Sequence, residues 1–323
     1  MKPLLLLLFI LVVVTVNGVE IDWSKARPIA DFDNWDELKE QLDIWRIPQH
    51  NPRIINGMAA SIGQFPFQVS LYVNMGSNLA LCGGSVLTQN YVLTAAHCVA
   101  GASGGMAIFG AYNRVIEDSQ RQTVNFTASD VTIHLQYVVN SFLNDVATIR
   151  LNNPITYTDR IRPIRLPPPE EQRSFAGLEG TITGYGRTSA DSQDLSEVLR
   201  YTSDSILTTT KCVEQWENRY ITEQHICLSA DNSRFACNGD SGGPLTVTEN
   251  SQTLQVGIAS FAATNCIGRP TVYTRVSYFL PWIEANSDYR SGGIHSAKLN
   301  SMLLVLLSCF FVHTFVNSNK NDL

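Results

Sequence analysis

From Ile54 onward, apolar and polar residues trade places in short runs. Phe67-Gln68-Val69-Ser70-Leu71-Tyr72-Val73 alternates as a strand with one buried face does. Similar runs recur at Tyr91–Ala95, Met106–Phe109, Val146–Leu151, Gly180–Gly184, Leu245–Val247, Val256–Phe261 and Thr271–Val276. Clusters of Gly, Pro and Asn separate them, and such spacing predicts a β-barrel or sandwich. One helix is predicted, over Tyr278–Asn286, with Pro281 in its first turn. Residues 19–53 have a different texture. Asn34-Trp35-Asp36-Glu37 reads as a helix start, with Glu37 three residues after the cap. Trp35, Leu38, Leu42 and Trp45 would then share one helical face, and Pro48 and Pro52 end the helix. That face is suited to docking on the domain that follows; a loosely held leader is the alternative.

The two ends bear on compartment. Residues 1–18 place Lys2 before an apolar stretch from Leu4 to Val14 and close on Asn17-Gly18, the layout of a secretory signal peptide. Near the C-terminus, Met302–Val316 is apolar but shorter than the roughly 20 residues needed to cross a bilayer. Small residues Ser291-Gly292-Gly293 and a polar spacer, Ile294–Ser301, precede it. This is the order of a glycolipid (GPI) anchor signal. The polar stretch after Val316 departs from that order, and a short membrane anchor or an unprocessed tail is the alternative. The expected organisation is signal 1–18, propeptide 19–53, catalytic domain 54–287 and tail 288–323, and the protein is expected to be secreted, with cell-surface attachment as an option.

Composition narrows the class. The 323-residue chain is 44% hydrophobic and 16% charged, too apolar for disorder. Its net charge of −6 and lack of a basic run argue against nucleic-acid binding. Of 7 cysteines, Cys309 lies in the tail. The remaining Cys82, Cys98, Cys212, Cys227, Cys237 and Cys266 favour three disulfides, with 15 pairings open. No cofactor is called for, and no Cys/His spacing suggests a metal site. Asn125-Phe126-Thr127 is a glycosylation sequon.

Three motifs carry chemistry. Gly239-Asp240-Ser241-Gly242-Gly243-Pro244 offers a hydroxyl amid glycines that leave backbone N–H groups approachable. Leu93-Thr94-Ala95-Ala96-His97-Cys98 places a histidine at a strand end, and Asn144-Asp145-Val146-Ala147 opens an apolar run with an acid. A serine hydroxyl needs a base to become a nucleophile, and the base needs an orienting partner. Each motif alone is ordinary; together, in the order His, Asp, Ser, they resemble a trypsin/chymotrypsin-type serine protease, nearest to secreted insect chymotrypsin-, elastase- and brachyurin-like enzymes. The resemblance runs from Ile54 to about Asn286.

The resemblance implies an all-β fold of two six-stranded antiparallel barrels with a C-terminal helix and a cleft site. It implies disulfides Cys82–Cys98, Cys212–Cys227 and Cys237–Cys266. It gives the roles of nucleophile to Ser241, base to His97 and orienting acid to Asp145, with an oxyanion hole of Gly239 and Ser241 N–H groups. Ser260-Phe261-Ala262 matches the segment that pairs with substrate backbone. Arg53-Ile54-Ile55-Asn56-Gly57 matches an activation junction, whose new Ile54 amine would pair with Asp240. Counting back from Ser241 puts Phe235 at the base of the primary pocket, with Ala262 and Thr271 on its walls. No acid falls there, which implies apolar rather than basic preference. The implied partners are protein or peptide substrates, protein inhibitors and a trypsin-like activator. Two other readings compete: a non-catalytic binding or adaptor protein on this fold, and a hydrolase of esters or lipids.

Overall fold

The computed structural model describes residues 26–29, 57–139, 141–187, 194–217, 220–231, 236, 239–263 and 268–291. The candidate helix at Trp35–Trp45, the junction at Arg53–Ile54, Phe235, the pair Cys237 and Cys266, and the tail beyond Ser291 lie outside them.

Two curled, mainly antiparallel sheets make the body. The first contains β3 (Gln68–Met75), β4 (Asn78–Val86), β5 (Tyr91–Thr94), β6 (Gly104–Phe109), β7 (Gln122–Thr127), β8 (Val131–Ile133) and β9 (Ala147–Arg150). Its order is β7-β6-β3-β4-β5-β9-β8, and a short β1 (Arg27–Pro28) adds to β4. The second contains β10 (Glu179–Gly184), β11 (Arg200–Ser205), β12 (His225–Leu228), β13 (Pro244–Glu249), β14 (Gln252–Phe261) and β15 (Thr271–Arg275). Its order is β12-β15-β14-β13-β10-β11, closed at one edge by β2 (Met58–Ala59). Setting aside the two-residue strands β1 and β2, the second sheet has the six strands expected and the first has seven, because the β8 segment (Val131–Ile133) adds beside β9.

Every predicted run falls on a strand, with ends shifted by a few residues. Other strands were hidden. β4 reads NLALCGGSV, without alternation, because it is buried on both faces from Ala80 to Val86. Three α-helices occur among the described residues: α1 (Ala96–Val99), α2 (Thr209–Gln215) and α3 (Val276–Ala285). The helix expected at Tyr278 thus begins two residues earlier, so Pro281 sits inside α3 and removes a donor there. α2 is capped by Thr208, whose hydroxyl accepts the Lys211 N–H at 3.2 Å.

Each sheet encloses its own core. The first is built on Val69, Leu71, Leu93, Phe109 and Ile149, and α3 packs there through Phe279 and Ile283. The second is built on Ile182, Leu228, Leu245 and Tyr273. Where the sheets meet, buried polar groups pair across the seam: Ser85 Oγ donates to Gln255 Oε1 and Thr183 Oγ1 to Gln68 Oε1, both at 2.6 Å. Satisfied this way, they fix one docking of the barrels at little cost. The chain stays attached to the body through Ser291. Thr88 and Asn90 donate to the Asp288 carboxylate, and Ser291 donates to Glu284.

Candidate active site

β5 ends at Thr94 and the chain turns into α1, which carries His97. The Cys82–Cys98 disulfide ties this turn to β4 beside it. Asp145 lies two residues before β9, the neighbour of β5, so sheet pairing brings acid and base together. His97 Nδ1 is 2.8 Å from Asp145 Oδ2, and the His97 backbone N–H donates to Asp145 Oδ1 at 2.9 Å. The carboxylate is fully buried and also accepts the Ser260 hydroxyl at 2.5 Å. Burial pushes the Asp145 carboxyl up, but its pairing with His97 and the hydrogen bonds from His97 and Ser260 outweigh this, so it is held below the ordinary range. Ionised Asp145 then holds His97 with Nδ1 protonated, leaving Nε2 as the acceptor.

The turn before Asp145 is itself held. Asn144 adopts φ of 58°, a left-handed conformation that Asn tolerates. Its N–H donates to Gln224 Oε1 at 2.9 Å, and its amide donates to the Gln136 carbonyl at 2.8 Å. Thr274 Oγ1 donates to the Asp145 carbonyl at 2.8 Å. Gln136, Gln224 and Thr274 carry no motif, and sequence reading missed them.

Ser241 comes from the other sheet, three residues ahead of β13. Its carbonyl accepts the Gly83 N–H of β4 at 2.7 Å, and the Gly242 N–H donates to the Ala259 carbonyl at 2.8 Å. Two glycines permit this approach. A Cβ on Gly242 would fall 2.3 Å from Thr94 Oγ1 and 3.0 Å from Cys98 Sγ; one on Gly83 would fall 2.8 Å from Gly243 Cα. The serine turn therefore packs directly onto the strand and disulfide that position His97.

Gly239 has φ of 103°, a value side-chain-bearing residues rarely adopt. Asp240, between Gly239 and Ser241, turns its carboxylate inward and is 4% exposed. It accepts the Gly186 N–H at 2.8 Å. Gly184 and Gly186 form its cradle: a Cβ on either would lie 2.0 or 2.4 Å from a carboxylate oxygen. Gly184-Tyr185-Gly186 ends a predicted strand, and glycine there was the available signal of close backbone approach.

The candidate specificity residues line one side. Ser260 is buried on Asp145, and Ala262 follows half-buried. The Phe261 ring stacks on Phe142 at 4.7 Å and meets Trp216 edge-on at 5.2 Å. Thr271 opens β15, buried and opposite Leu228. Asp231 is exposed. Beneath Phe261, His225 is kept neutral: burial drives its pKa down to about 4, despite the pull of the Phe142 backbone and Asp145. Among the described residues, the one cluster of metal-ligand type is Cys82, His97 and Cys98. Its sulfurs are joined to each other and His97 bonds Asp145, which leaves no donor set for a cation. Cys212–Cys227 is the second disulfide, joining α2 to β12.

The profile of the Trypsin family matches residues 54–283. The chain belongs to the trypsin family. It is 33% identical to a chymotrypsin of Phaedon cochleariae over 288 residues, spanning 87% of this chain and 98% of the relative. It is 36% identical to a brachyurin of Leptuca pugilator, over 72% of this chain and 98% of that one. A solved collagenase structure aligns with a TM-score of 0.66 at 30% identity, covering 73% of this chain and 99% of the neighbour. This trypsin-family protein is therefore a serine endopeptidase, with protein substrates.

Proposed function

We propose that this endopeptidase is made as an exported zymogen, is switched on by a cut after Arg53, and hydrolyses peptide bonds through Ser241, His97 and Asp145. The observation that carries the reading is the buried, hydrogen-bonded set His97–Asp145–Ser260 facing the Ser241 turn across the Gly83 contact. Ser241 Oγ attacks the scissile carbonyl carbon while its proton passes to His97 Nε2. Asp145 stabilises the imidazolium without taking the proton. The oxyanion accepts hydrogen bonds from the Gly239 and Ser241 N–H groups, a pair worth about 100- to 1000-fold in rate per donor. The leaving amine takes the proton from His97, and water then repeats the steps to release the acid.

The Ile54 amine freed by the cut would approach Asp240 in its cradle, where a buried carboxylate is best matched by a cation. Phe261, Ala262 and Thr271 supply no charge to the primary pocket, and with Phe235 at its base the enzyme prefers small to medium apolar residues before the cut. Asn125 lies on an exposed position of β7, open to a glycan. The mature form ends near Ser291 on a glycolipid anchor. In Arg53-cleaved protein, Ser241→Ala abolishes turnover of peptide substrates and labelling by a fluorophosphonate while the fold persists. Near-wild-type turnover in that variant would overturn the assignment.

A further inference from the structure

The outer edge of β4 is shared by three partners in sequence. β3 takes its inner edge along its whole length, from Met75–Asn78 to Gln68–Ser85. On the outer edge, β5 pairs only at Ser85 and Val86. The Gly83 N–H goes to Ser241. Beyond that, at Ala80 and Leu81, the edge is taken by β1, in parallel register: Arg27 opposite Ala80 and Pro28 opposite Leu81. The occupant comes from N-terminal to the Arg53 junction.

The seat is not a surface contact. Ile29 is 1% exposed and belongs to the first core, with Val69, Leu71, Ala80 and Cys82. Ala26 is buried in a separate cluster at the seam of the two sheets, with Tyr72, Leu81, Tyr185 and Leu199. One short segment thus fills two apolar sites and covers backbone groups that would otherwise form an open sheet edge. Arg27 points to solvent, yet the bond after it leads into Pro28, which lacks an N–H and is fixed in φ, so it resists a trypsin-like activator.

We propose that the edge of β4 at Ala80–Leu81 is a docking site for the chain's own segment Ala26–Ile29, which stays seated after the cut at Arg53 with no disulfide to hold it. The proposal rests on reading residues 19–53 as an activation peptide and goes beyond it: the active enzyme is a non-covalent two-chain species. The retained strand lies on the same edge as the Gly83–Ser241 bond, two to three residues away, roughly 7–10 Å along the strand.

The test uses the full chain. After trypsin treatment and removal of the trypsin, size exclusion and mass spectrometry follow any fragment containing residues 26–38. Co-elution with the active Ile54 chain, and release only in denaturant, is expected. Elution of that fragment apart from an active Ile54 chain would overturn the proposal. Ile29→Asp puts a charge into an apolar site and weakens retention at least about 100-fold. Ile29→Ala, which buries no charge, should also increase release, and covers the case where the aspartate variant does not fold. Retention undiminished in a folded Ile29 variant counts against the seat. Hydrogen exchange on the uncut chain separates the two readings. Slow exchange at the Arg27 and Ile29 amides upholds the seat even if Arg53–Ile54 resists cleavage and the activation reading falls. Exchange at open-chain rates sinks the seat whatever the junction does.

Discussion

Gly184→Ala tests whether the Asp240 cradle governs the oxyanion donors. Gly184 closes β10 and is not among the glycines with positive φ, so alanine costs little in the backbone there. Its Cβ, however, would lie 2.0 Å from Asp240 Oδ1 and 2.9 Å from Cγ, so the carboxylate has to leave. Leaving breaks the 2.8 Å hydrogen bond from the Gly186 N–H. A buried carboxylate losing such a donor costs about 1–3 kcal/mol. For a domain of this size that lowers the melting temperature by roughly 2–12 °C. The larger effect is expected on rate, because Asp240 sits between Gly239 and Ser241, the two residues proposed as oxyanion donors. Losing one donor costs about 100- to 1000-fold in kcat, about 3–4 kcal/mol of transition-state stabilisation. KM should change little, since the substrate contacts proposed along Phe261 and Ala262 are untouched. Steady-state kinetics on a peptide amide, with melting followed in parallel, reads both numbers. A folded Gly184→Ala enzyme with kcat within threefold of wild type would refute the coupling of the cradle to the oxyanion hole.

Asp145→Asn removes the charge that holds the His97 tautomer and should lower kcat by roughly four orders of magnitude, as in the archetypal triad, with folding preserved; a loss under tenfold in steady-state assays would remove Asp145 from the mechanism. Acid should unfold the protein through His225. Its folded pKa of about 4 lies below the unfolded value of about 6.5, so the unfolded chain binds the proton first. The His225 contribution is therefore full above about pH 6.5, falls by about 3 kcal/mol toward pH 4 and levels off below it, where protonation of carboxyls such as Asp145 takes over. Urea midpoints measured on inactive Ser241→Ala protein should trace that slope, and His225→Gln should flatten it; an unchanged slope would exclude His225 as its source. Finally, the pure zymogen should not cut its own Arg53–Ile54 bond, because an Arg guanidinium would meet no counter-ion among Phe235, Ala262 and Thr271. Incubation alone and with trypsin, followed by mass spectrometry, decides; accelerating self-cleavage that Ser241→Ala abolishes would refute the apolar pocket.

Much of this protein was legible in the order of its residues. The alternation at Phe67–Val73 and the runs after it announce strands because a half-buried strand must repeat every two residues. The glycines around Ser241, the His97 strand end and Asp145 ahead of an apolar run carry the resemblance to serine proteases, since each is local. What local pattern cannot carry is burial on both faces. β4 therefore escaped notice, although it touches Ser241, the Cys82–Cys98 disulfide and β1.

The partners of the site were equally invisible. Gln224 and Thr274 reach Asp145 and its turn from 80 or more residues away, and Ser260, expected only beside substrate, also bonds the Asp145 carboxylate. Their types are common, and only the pairing of two sheets makes them neighbours. The same holds for Gly184 and Gly186, unremarkable until the Asp240 carboxylate is found between them. Ala26 and Ile29 gave no signal in a segment whose aromatic residues drew attention to Trp35 and Trp45. Their seat exists because β5 covers only part of the outer edge of β4, leaving unpaired backbone groups that another strand can satisfy. Sequence determined the family and its class of chemistry, because both are carried by residue types in short motifs. Tertiary structure decided what holds and surrounds them, because burial and hydrogen-bond partners depend on chain segments that meet only after both sheets have closed.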